Sequence, residues 1–208
     1  MKLLFQGDSI TDAKRDKRNY HDMGTGYPKY AVELIKEAFP DSNIEFINQG
    51  ISGDRTCQLF DRLYPDAIAF EPDVISILIG INDIWHRHGA GRIETTDAQI
   101  ETNYRAILTR LKKQTNAKIV MLAPFLLDNE EKEAWRPEVG ELLSIVRALA
   151  DEFADAYIPL DQLFAEAFKT QPEPQYYSAD GVHPNENGAR FIGKHYFEAI
   201  APLLRSLL

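Results

Sequence analysis

Apolar residues in this chain gather in five short runs separated by longer amphipathic stretches. The runs are Lys2–Gln6 (KLLFQ), Ile44–Asn48 (IEFIN), Val74–Ile79 (VISILI), Lys118–Leu122 (KIVML) and Ala156–Leu160 (AYIPL). The third and fourth are almost unbroken, as expected of strands covered on both faces of a parallel sheet. Between the runs the apolar period changes to that of a helix. Ile100, Tyr104, Ile107, Leu108 and Leu111 share one face of Gln99–Leu111, and Val139, Leu142, Val146, Leu149 and Phe153 share one face of Glu138–Phe153. Tyr30–Ala38 and Glu186–Leu207 read as two further helices. Prolines at 28, 40, 72, 124, 137 and 184 punctuate the boundaries. Strand–helix alternation predicts right-handed βαβ units in a three-layer α/β/α sandwich. Five strands predict a flavodoxin-like parallel sheet of order 2-1-3-4-5. The 208 residues are read as a single domain, 1–208.

Composition narrows the function classes. Net charge is −9, from 23 basic and 32 acidic residues. Nucleic acid and anionic membranes, which attract clustered Lys and Arg, are therefore not expected partners. The one basic cluster, Lys14–Arg18 (KRDKR), is interrupted by Asp16 and reads as a solvated loop. The single cysteine, Cys57, excludes an internal disulfide and reads as a small buried hydrophobe on a helix. The start of the chain, MKLLFQGDS, carries neither a long apolar core nor a cleavage signature. No stretch approaches the ~20 apolar residues of a membrane helix, so a cytoplasmic location is expected.

In an open parallel sheet, ligands bind at the carboxyl ends of the strands. Gly7-Asp8-Ser9 follows the first strand, Gly50-Ile51-Ser52-Gly53-Asp54 the second, and Gly80-Ile81-Asn82-Asp83 the third. Asp180-Gly181-Val182-His183 precedes the last helix. Each has an ordinary reading: Gly-Asp-Ser caps a helix, Gly-x-x-Gly is a loop, Asn82-Asp83 caps a helix, and Asp180 and His183 form a surface pair. Together they supply what acyl transfer needs. Ser9 is a nucleophile and His183 a base. Asp180, three residues earlier, can reach the imidazole Nδ1 and leave Nε2 facing the serine. The backbone N–H groups of Ser9 and Gly53 and the Asn82 amide are candidate oxyanion donors. Glycine at 53 admits close approach of the backbone. Thr11 stands where the Gly-x-Ser-x-Gly elbow has its second glycine, so Ser9 is expected to open a short helical turn instead.

The segments GDS, GISGD, GIND and DGVHP, in that order, resemble the four blocks of the SGNH hydrolase (GDSL-type esterase) superfamily. Its Ser, Gly, Asn and His map onto Ser9, Gly53, Asn82 and His183, with Asp180 as the triad acid. The resemblance covers essentially the whole chain. It implies the same sandwich fold and no metal or organic cofactor. GTGYPKY (24–30), NQGISGDRT (48–56), ISILIGINDIW (75–85) and MLAPFLLDNEE (121–131) are also similar to intracellular bacterial acetylxylan esterases of that superfamily, which deacetylate xylo-oligosaccharides. QYYSAD, before the catalytic pair, falls outside that similarity. The implied partner is a small-molecule ester, an acetylated sugar above all. Relatives often form oligomers, so a homo-oligomer is a further expected partner, although no self-contact surface is legible.

Three functions are weighed. The first is an esterase for small acyl groups. The second is a lysophospholipase or thioesterase on the same scaffold, disfavoured because residues 126–137 (LLDNEEKEAWRP), read as a long polar loop and mobile flap, are mostly charged. The third is a non-catalytic phosphate-binding flavodoxin-like module, which leaves His183, Gly53 and Asn82 unexplained. Trp85 is expected either to pack in the core or to wall the acyl or sugar site. Arg55 is expected to touch a substrate oxygen or to pair with Asp54 or another carboxylate. Asp12 is expected to support the serine turn. His21, His86, His88 and His195 show no metal-ligand spacing beyond His86-x-His88, which reads as solvated.

Overall fold

The computed structural model describes residues 1–89 and 92–208. The chain runs β1 (Lys2–Gly7), α1 (Ser9–Asp12), α2 (Tyr27–Ala38), β2 (Glu45–Asn48), α3 (Thr56–Asp61), α4 (Leu63–Asp66), β3 (Val74–Leu78), α5 (Ile81–His88) and α6 (Asp97–Gln114). It continues with β4 (Lys118–Leu122), α7 (Arg136–Phe153), β5 (Ala156–Ile158), α8 (Leu160–Ala167) and α9 (Glu186–Leu207). The strands form one parallel sheet of order β2-β1-β3-β4-β5. Leu3 pairs with Phe46 on one side and Val74 on the other, and Ile75 pairs with Ile119.

Helices cover both faces. α2 packs against α9, and α3, α6 and α7 pack in sequence on the opposite face. All five residues of β3 are buried, which its unbroken apolar run required. The expected stripe of α6 (Ile100, Tyr104, Ile107, Leu108 and Leu111) is fully buried. Each such side chain contributes about 1.5–3 kcal/mol relative to exposure. Among the described residues, no helix is long and apolar enough to cross a membrane.

Three expectations are corrected. β5 stops at Ile158 because Pro159 has no N–H for a sheet, and Leu160 opens α8, which the apolar pattern did not reveal. Residues 126–137 are not loop throughout. Glu130–Trp135 is a 3-10 helix that buries Lys132 and Trp135, three residues apart and so on one side of a three-residue turn. Within the basic cluster, Arg15 is only 6% exposed. Its Nε donates to the Gly50 carbonyl at 3.0 Å, so this stretch braces the second strand-end loop.

Candidate active site

The parallel sheet brings the ends of β1, β2 and β3 together, with β1 between the other two. Gly7 pairs with Leu78, so the segments after β1 and β3 leave the sheet side by side. Asp8 caps the turn of α1 by accepting the Ile10 N–H at 3.0 Å, and Ser9 is its first residue, as the missing elbow glycine implied. Ser9 and His183 line a common cleft of about 780 Å³, together with Ser52, Tyr27, Lys14 and Lys29.

Across that cleft, Ser9 Oγ lies 2.9 Å from His183 Nε2, and His183 Nδ1 lies 2.7 Å from Asp180 Oδ2. The turn between Asp180 and His183 is stiff. Asp180 Oδ1 accepts the N–H groups of Val182 (3.0 Å) and His183 (2.7 Å), and Ser178 Oγ donates to the His183 carbonyl at 2.8 Å. Burial opposes ionisation of Asp180. The imidazole and the two backbone N–H groups outweigh it and hold the carboxyl far below the usual range. The same contact with Asp180 raises the His183 pKa against its partial burial.

Gly53 follows exposed Ser52 and has φ +87°, a backbone conformation that disfavours side chains. A Cβ at Gly53 would meet nothing within 4 Å, so glycine is required here by conformation rather than by crowding. Among the described residues, no protein acceptor takes the N–H of Ser9 or Gly53. Asn82, at the start of α5, is buried and donates one amide hydrogen to the Asp54 carbonyl at 3.0 Å, leaving the other amide hydrogen for a ligand. Its neighbour Asp83 anchors α5 to α3 by accepting Thr56 N–H and Oγ1–H, each at 2.9 Å.

The expected partner of Asp54 is replaced. Arg55 forms no ion pair among the described residues; it donates to Gln58 Oε1 at 3.2 Å and Thr95 Oγ1 at 3.3 Å. Arg62 takes Asp54 instead, at 2.5 Å. The same guanidinium donates to the Gln49 carbonyl (2.7 Å) and the Gly7 carbonyl (3.0 Å), fastening the ends of β1 and β2 to the Gly53 loop. Sequence reading missed Arg62 because its partners lie 55 and 13 positions away and it belongs to no motif. Asp12 makes the parallel connection, accepting Ser52 N–H at 2.9 Å and Ser52 Oγ–H at 2.5 Å.

Trp85 is half-buried beside the imidazole, with ring centroids 5.5 Å apart, and meets Trp135 edge-on at 5.2 Å. Asp8 is fully buried beneath Ser9. Burial pushes its carboxyl up to about 7, reinforced by Asp54 and Asp83 and opposed by the Ile10 N–H and by His183. Among the described residues, no three His, Cys, Asp or Glu side chains converge to hold a metal ion. His88 instead meets Glu138 at 2.9 Å, and His21 Nδ1 lies 3.0 Å from the Phe46 carbonyl.

Known proteins resemble this chain in sequence and fold. The profile of the GDSL-like lipase/acylhydrolase family matches residues 5–191. An acetylxylan esterase from Geobacillus stearothermophilus is 31% identical over 96% of this chain and 93% of its own. The crystal structure of that enzyme superposes with a TM-score of 0.87, covering 95% of this chain and 92% of the other at 30% identity. A protein from Parabacteroides merdae, provisionally named a GDSL-like lipase, superposes with a TM-score of 0.91 at 35% identity, covering 96% and 95% of the two chains. Variants of the Geobacillus esterase that replace one serine, one aspartate or one histidine by alanine are described as catalytic mutants.

Proposed function

The chain belongs to the GDSL-like lipase/acylhydrolase family and is a carboxylic ester hydrolase, and from that premise we propose that it removes acetyl groups from sugar hydroxyls, xylo-oligosaccharides in particular, through Ser9, His183 and Asp180. The observation that carries this reading is the hydrogen-bonded line from Asp180 through His183 to Ser9 at the mouth of the cleft. The aspartate and histidine whose replacements are catalytic mutants in the Geobacillus esterase are three positions apart, the spacing of Asp180 and His183. Another variant of that esterase replaces the tryptophan directly before the aspartate, where this chain has the exposed Ala179.

Catalysis then runs in two halves. As Ser9 Oγ bonds to the acetyl carbon, its proton passes to His183 Nε2. Charge on the carbonyl oxygen is met by the N–H groups of Ser9 and Gly53 and by the free amide hydrogen of Asn82. The carbon–oxygen bond to the sugar breaks, the alcohol takes the proton from Nε2, and acetyl remains on Ser9. Water repeats the sequence, releasing acetate. Asp180 keeps Nδ1 protonated and Nε2 turned to Ser9 throughout, and the low pKa of its carboxyl keeps it ionised while the imidazolium forms.

Lys14, Lys29, Ser52 and Asn185 on the mixed lining of the Ser9 cleft supply hydrogen-bonding groups for a hydroxyl-rich alcohol. The test is a series of p-nitrophenyl esters from acetate to decanoate, run beside acetylated xylo-oligosaccharides. The proposal expects kcat/KM to be highest for acetate and acetate to be released from the sugars. Preference for decanoate would replace it with a lysophospholipase or thioesterase reading.

A further inference from the structure

The 3-10 helix Glu130–Trp135 buries a lysine against the triad turn. Lys132 is only 6% exposed. Its ammonium donates to the backbone carbonyl of Asp180 at 2.8 Å and stands over the rings of Trp85, at 5.0 Å, and Trp135, at 5.6 Å. Among the described residues it has no carboxylate partner within ion-pair distance, an unusual situation for a buried cation. The two indole faces and one carbonyl take the place of a counter-ion.

A second contact comes from the same segment. The Leu127 N–H donates to the Gly181 carbonyl at 2.8 Å, so two successive carbonyls of the triad turn are held from one side. Gly181 has φ +81°, and a Cβ there would lie 2.9 Å from the Leu127 carbonyl oxygen, which shows how closely the two segments fit. We propose that Lys132 is a positioning residue of the active site, clasping the Asp180–His183 turn and placing a fixed positive charge beside the imidazole. The proposal rests on the triad reading above and adds to it a residue outside the four sequence blocks.

The charge has a direction of action. The groups that face His183 are Asp180 on its own turn, Asp8 at the end of β1, and Lys132. Asp180 and Asp8 favour the imidazolium, and Lys132 disfavours it. Asp54 and Asp83 lie behind Asp8. Behind Trp135, which stacks on His88, Glu138 is occupied by His88 and Arg87. Lys132 thus keeps a larger fraction of His183 neutral and able to accept the Ser9 proton than Asp180, joined by Asp8 where it ionises, would otherwise allow.

Three variants separate the clasp from the charge. Lys132→Gln keeps donors for the Asp180 carbonyl but loses the charge, Lys132→Met loses both, and Lys132→Arg keeps both. The pH profile of kcat/KM for p-nitrophenyl acetate is measured for each, with near-UV circular dichroism to establish folding. Lys132→Gln is expected to hold the plateau and move the acid limb to higher pH, losing about threefold at a fixed pH on that limb. Lys132→Met is expected to show the same move plus a plateau loss of about tenfold or more, as a misplaced catalytic group does. Lys132→Arg is expected to restore both. An acid limb in Lys132→Gln at the wild-type position overturns the proposal, as does a wild-type profile in Lys132→Met. Failure of the triad reading would look different: Ser9→Ala would keep its activity whatever the Lys132 variants did.

Discussion

The side chain of Asn82 donates to the backbone carbonyl of Asp54 at 3.0 Å, joining the loop after β3 to the loop after β2. One amide hydrogen therefore aims the other, and the carbonyl it holds belongs to the residue after Gly53. The two proposed oxyanion donors, Gly53 and Asn82, are thus linked through Asp54. Asn82→Ala is expected to lower kcat by ~10²–10³ with a smaller effect on KM, since the bond it removes is strongest in the transition state. Steady-state kinetics on p-nitrophenyl acetate check this, and a change confined to KM would remove Asn82 from the oxyanion site.

Arg62 also holds Asp54 and joins the segment after β2 to the end of β1. Its side chain is only 13% exposed, and its loss would strand a buried carboxylate and two carbonyls. Arg62→Ala is expected to cost about 3–5 kcal/mol in urea unfolding. Arg62→Lys is expected to recover little of it, because an ammonium cannot fork to Asp54 and two carbonyls at once. Unfolding midpoints near wild type for either variant would contradict this account of the loop.

Much of this architecture was legible in the sequence. Unbroken apolar runs at Val74–Ile79 and Lys118–Leu122 mark strands covered on both faces, and they are β3 and β4 of the parallel sheet. The start of α9 was legible from Pro184 just before it, and in the structure the Asn185 side chain caps it by accepting the Gly188 N–H. What escaped depends on contacts distant along the chain. Arg15, Arg62 and Lys132 look like surface charges locally and are buried only because Gly50, Asp54 and Asp180 carry acceptors where each side chain ends. Gly53 was legible as a glycine that mattered, but the reason is its positive φ, which no spacing reveals.

Asp8 makes stability fall with rising pH. Its carboxyl titrates at about 7 in the fold against 3.8 in an unconstrained chain. Between those values the folded protein keeps a proton that the unfolded chain has released, so its contribution is full at low pH and is lost as pH rises toward 7. Asp8→Asn removes that dependence. The difference in Tm between Asp8→Asn and wild type is expected to grow in favour of the variant from pH 4.5 to pH 7 and level off above. A difference that does not change over this range would show that Asp8 does not carry a raised pKa.

As the proposed base, His183 is expected to set the acid side of the rate profile. The hydrogen bond to Asp180 outweighs burial and raises the His183 pKa above its ordinary value of about 6.5, so the neutral base is lost as pH falls through a point above that value. Asp180→Asn removes the largest raising influence. Its acid limb is expected to move to lower pH while kcat falls by up to ~10⁴, the loss typical of a base left without its orienting carboxylate. A limb that stays in place would separate Asp180 from the imidazole in the working enzyme.

The direct measurement is covalent labelling with a serine-directed sulfonyl fluoride, followed by intact-mass and peptide mass spectrometry. Ser9 Oγ, facing His183 Nε2 at 2.9 Å, is expected to take one sulfonyl group per chain in step with loss of esterase activity. Ser9→Ala should take none, and His183→Ala should react far more slowly. Full esterase activity in Ser9→Ala, or inactivation with the label on any residue other than Ser9, would contradict the account.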